Sequence, residues 1–73
     1  MIEKINGILA FHAKEARSFK QTGEVEYGSA LFAALYDYFV ESGEMPYGVA
    51  KFRTGDPVDW IVDRLNEVLE INV

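Results

Sequence analysis

Across residues 24–43 the polar positions recur with a helical period of about 3.6 and fall together on one side. At about 100° per residue, Glu26, Ala30, Ala33, Asp37 and Glu41 share a narrow stripe. Opposite them, Tyr27, Leu31, Phe32, Leu35, Tyr38 and Phe39 spread over an arc on the order of 200°. The pattern predicts a central helix over 24–43, ended at Ser42-Gly43 with Pro46 shortly after. Gly28 reads as a weak point inside that helix, costing roughly 1 kcal/mol against alanine. An outer helix of a small domain buries a narrower stripe than this. The central helix is therefore expected either to sit in the middle of the fold or to be completed by another chain.

Residues 2–21 carry a second helical pattern. Ile2, Ile5, Ile8, Leu9, His12, Ala16 and Phe19 line one face, and Glu3, Lys4, Lys14, Arg17, Ser18 and Gln21 fall elsewhere. Thr22-Gly23 ends it, with Arg17 and Lys20 near the negative end of the helix dipole. Phe11 lies off the main face, where it widens that face or touches a partner. A last helix is announced by Asp56-Pro57, with Asp56 as the cap, Pro57 at the first helical position and Asp59 as a second carboxylate in the first turn. Its expected inward face is Val58, Ile61, Val62, Leu65, Val68 and Leu69, against an acidic strip of Asp59, Asp63 and Glu70 and a second strip of Trp60, Arg64 and Glu67. Residues 44–55 are ambiguous. Pro46 with the Val49 and Phe52 pair favours one or two helical turns, while Tyr47, Val49 and Lys51 alternate as a short strand would. A lone strand has nothing to pair with in one subunit.

Together these elements predict an all-α fold, a single helical domain over residues 1–73. It is read as a small bundle of three long or medium helices plus a short helix or turn, completed by dimerisation. A chain of 73 residues holds only a marginal core, and without cysteine it has no disulfide or thiolate–metal staple. Composition supports folding: 49% hydrophobic, 14% aromatic and 26% charged residues are globular values. No apolar run reaches the ~20 residues that span a bilayer, and the charged first turns make a poor signal peptide, so a cytoplasmic setting is expected.

The net charge of −5 argues against nucleic acid as a direct partner. It is unevenly distributed. Through Thr22 four basic residues meet two acidic ones, giving +2, whereas from Gly23 onward three basic residues meet ten acidic ones, giving −7. Such polarity favours self-association or a basic partner.

Candidate chemistry is sparse. His12, the single histidine, reads as a buried or interface residue bonded to a tyrosine or carboxylate, with a pH-sensitive contact or catalytic base as the alternative. With Glu15 one turn on it is half of a metal site at most, so no metal or other cofactor is expected. Phosphate-binding glycine loops are absent. Trp60 is placed away from the aliphatic face and reads either as an interface anchor or as a ring lying under Arg64. Tyr27, Tyr36, Tyr38 and Tyr47 read as core residues whose hydroxyls reach the surface or as contact residues at an interface, and for Tyr36, at the edge of the apolar arc, the two readings weigh equally. The acidic strip of Asp59, Asp63 and Glu70, with Glu67 beside it, reads as the solvated side of a helix, with imitation of DNA phosphates, a divalent-cation site or a surface facing a basic protein as alternatives.

The functional expectation is a non-enzymatic protein–protein interaction module, a small acidic adaptor, inhibitor or regulator. Its partner-binding residues would be Trp60, Arg64, Tyr36, Phe11, Asp59 and Asp63, and its partner a second copy or a protein target. The alternative is a DNA-linked regulator. That would be either a helix-turn-helix dimer contacting DNA through Lys51 and Arg53, or an acidic decoy that imitates DNA.

Overall fold

The computed structural model of the chain describes residues 2–51 and 56–72, with the side chains of 3–51 and 56–69. Expectations for Phe52, Arg53 and Gly55, and for the side chains of Ile2 and Glu70, lie outside these residues. Among the described residues the backbone forms five helices: α1 (Ile2–Phe11), α2 (Ala13–Thr22), α3 (Ala30–Glu41), α4 (Tyr47–Ala50) and α5 (Asp56–Asn72). The all-α expectation is met. The strand alternative fails where it can be examined, because Tyr47–Ala50 is one turn of helix behind Pro46.

The first predicted helix is two helices. His12 leaves helical geometry with φ −108° and ψ 47°. The chain nevertheless stays hydrogen-bonded through the break, where His12 N–H donates to Ile8 O at 3.0 Å and Ala16 N–H donates to His12 O at 2.9 Å. The predicted face survives on both halves, since Ile5, Leu9, Ala16 and Phe19 are all buried. A bend between them lets both short helices reach the same core. At the far end Gly23 has φ 74° and its N–H donates to Phe19 O at 2.7 Å, the left-handed stop that glycine permits without steric cost.

The central helix is shorter than predicted. Residues 24–29 lie outside it, because Ser29 caps α3: its Oγ accepts from Phe32 N–H at 3.1 Å. Gly28 is therefore a turn residue and not a flaw inside a helix. The C-terminal end is as expected, with Gly43 at φ 78°. The stripe of Ala30, Ala33, Asp37 and Glu41 faces solvent, and Leu31, Phe32, Leu35 and Phe39 are buried.

Of the two placements open to so apolar a helix, the middle of the fold is the one observed. α3 packs against both α1 and α5, and α4 packs on α5. The chain covers Leu35 and Phe39 completely, whereas Tyr27, at the start of the predicted arc, stays 47% exposed.

The buried face of α5 is also turned from the predicted one. Pro57, Ile61, Leu65 and Val68 point inward, with Val58, Val62 and Leu69 half-buried along one edge and Trp60 and Arg64 half-buried along the other. This amounts to a rotation of about 50° toward Trp60 on the helical wheel. Two loop residues, Val25 and Met45, complete the core.

Candidate functional site

The N-terminal half of α3 and the turn before it form an aromatic-walled groove of about 330 Å³. Ser29 fixes the chain direction at this point, because its Oγ accepts from Phe32 N–H and also donates to Glu26 O at 2.8 Å. The resulting turn sets Tyr27 beside Phe32, ring centres 5.2 Å apart, and helical spacing sets Tyr36 beside Phe32 at 5.8 Å. Gly28 and Ala33 leave the space between these rings open, and Asp37 stands at the edge. Tyr27 is 47% exposed. The Tyr36 hydroxyl donates to Ala50 O at 2.9 Å, so this ring lines the groove and also ties α4 to α3. Tyr36 is half-buried against the core, in line with the core reading. An apolar floor between aromatic walls with a carboxylate at the rim can hold an apolar side chain next to a cation.

The other sequence-predicted residues do not converge on this groove. Trp60 is half-buried, with its ring edge against Phe39 at 5.0 Å and an interplanar angle of 78°. It belongs to the margin of the core, which corrects its placement on an outward polar side. Arg64 spans two carboxylates, donating to Glu44 at 2.6 Å and Glu67 at 3.0 Å, and so pins the α3–α4 loop to α5. The hydrogen bond to Glu44, then that to Glu67, holds the guanidinium pKa above its ordinary value. Asp59 and Asp63 are exposed along α5.

Phe11 is 85% exposed at the end of α1, its ring meeting that of His12 edge-on at 5.0 Å. Glu15, weighed from sequence as a metal-ligand partner of His12, has a structural task. Its Oε2 accepts from Leu31 N–H at 2.6 Å, so it caps α3 from another helix. Among the described residues no group of three or more His, Asp or Glu side chains is placed to hold a metal ion. No described helix is long and apolar enough to cross a membrane.

Lys51 is exposed just after α4. As a single turn, α4 offers about 6 Å of helix to a DNA groove. Of the groove residues, Tyr27 is one of the four tyrosines that the sequence offers as core or contact residues, whereas Ala33 is read there only as part of the polar stripe. The signal that would have placed Tyr27 at the groove is Gly28-Ser29, a cap signature that ends the turn and leaves Tyr27 outside the helix. No protein-family model, no curated protein sequence and no solved structure matches the chain.

Proposed function

We propose that the chain is a non-enzymatic protein–protein interaction module, a small acidic adaptor, inhibitor or regulator that works through an aromatic helical surface. The observation that carries this reading is the open groove walled by Tyr27, Phe32 and Tyr36 with Asp37 on its rim. Its partner is a protein segment that offers an apolar or aromatic anchor beside a lysine or arginine. The net charge of −5, concentrated after Gly23, draws such a segment in and selects against acidic ones.

The test is a displayed-peptide selection on the full chain, counter-selected against Ala33→Glu. That substitution puts a longer charged side chain into the groove from an exposed position of α3. Enrichment of peptides that pair an apolar anchor with a basic neighbour, and that lose binding to the variant, supports the reading. A selection that enriches nothing, or peptides that bind both proteins equally, overturns it.

A further inference from the structure

We propose that the groove on α3 also accepts Phe11 of a second copy of this chain, so that the protein self-associates through a knob on α1 and a socket on α3. The proposal rests on the binding role given to the groove above, and it names one occupant for it.

Phe11 is the most exposed large apolar side chain among the described residues, at 85%. It stands where α1 ends and the backbone turns at His12, its ring in edge-on contact with that of His12. The segment that carries it is net basic. Lys14 follows three residues on and is exposed, and the chain through Thr22 carries +2. The groove has the opposite character. Asp37 is at its rim, Glu41 lies one turn further along the same exposed stripe, and Glu26 precedes Tyr27.

An aromatic knob on a net basic segment thus exists on the same molecule as an aromatic socket with anionic neighbours. The groove volume of about 330 Å³ admits a phenyl ring, and its tilted walls suit edge-to-face packing. One knob–socket contact therefore joins two copies without altering either fold. Moving a phenylalanine from water into such a site is worth on the order of ten- to a hundredfold in a dissociation constant.

The experiment is sedimentation equilibrium of the full chain over a wide concentration range at low and high salt. It compares wild type, Phe11→Ser, Ala33→Glu and an equimolar mixture of the two variants. Wild type is expected to associate, more tightly at low salt. Each variant alone should weaken association at least tenfold. The mixture should recover part of it, because one intact knob and one intact socket remain. Circular dichroism melts that match wild type show that the variants keep their fold.

A wild-type chain that stays monomeric at every concentration overturns the proposal, as does a mixture no better than its components. If the peptide selection succeeds while the chain stays monomeric, only this inference falls. If both fail, the groove has no binding role.

Discussion

Replacing Glu15 by alanine removes a cap that one helix places on another. Leu31 N–H is one of the first amides of α3, which have no partner within the helix, and the Glu15 carboxylate accepts from it at 2.6 Å. Ser29 serves the next amide, at Phe32, so the two caps divide the work. A charge-assisted hydrogen bond of this kind contributes about 1.5–3 kcal/mol, part of it the attraction between a carboxylate and the positive end of the helix. Two features lower the net figure. Glu15 is half-exposed, so water can replace it in part, and Glu24 and Glu26 line the same small cleft, so removing one carboxylate relieves repulsion among three. The expected loss is about 1–2 kcal/mol, which for a domain of this size lowers Tm by roughly 5–15 °C. Glu15→Gln keeps an acceptor without the charge and should lose about half as much. Thermal and urea melts followed by circular dichroism measure the loss, and hydrogen exchange at Leu31 locates it. A Glu15→Ala protein that melts within about 2 °C of wild type refutes the reasoning, since that is the range of an ordinary surface substitution.

Tyr36→Phe removes the hydroxyl that donates to Ala50 O, and should cost about 1 kcal/mol. Faster amide exchange at Ala50 and Lys51, whose N–H groups bond to Pro46 O and Tyr47 O, with α5 unchanged, checks that the loss is confined to α4. Arg64→Ala breaks the link from Glu44 to Glu67 and should cost up to about 1 kcal/mol, because these side chains are partly exposed. Urea melts at low and high salt decide its origin: a deficit that does not shrink with salt points to lost packing of the arginine stem and contradicts the electrostatic account.

The parts of the fold that were legible in the sequence are those dictated by one or two residues. Gly23 and Gly43 stop their helices because each takes a positive φ. Pro57 marks the first turn of α5, and the alternation of exposed Ala30, Ala33, Asp37 and Glu41 with buried Leu31, Leu35 and Phe39 follows from helical period alone.

What escaped was set by distant contacts or by competition between two local signals. The break at His12 has no proline or glycine beside it, and apolar spacing runs through it without interruption. Ser29 competes as a cap with the helical pattern of 24–28, and the cap prevails. The turn of α5 toward Trp60 reflects the ring of Phe39, which comes from a different helix. Glu15 reaches an amide sixteen positions away, a distance that no periodicity encodes. The aromatic groove was half legible for the same reason: Tyr36 follows from helix geometry, whereas Tyr27 enters only through the turn that Ser29 makes.

The elbow at His12 also governs how small the molecule can be. An unbroken helix over Ile2 to Thr22 would be about 31 Å long, more than the greatest dimension of the Cα trace, 29 × 22 × 19 Å. Straightening it would push one end past the shared interior and strand either Ile5 or Phe19 in water. A chain with so little interior to spare therefore keeps its first third bent at His12, and beside that bend the phenyl ring of Phe11 is left standing in water.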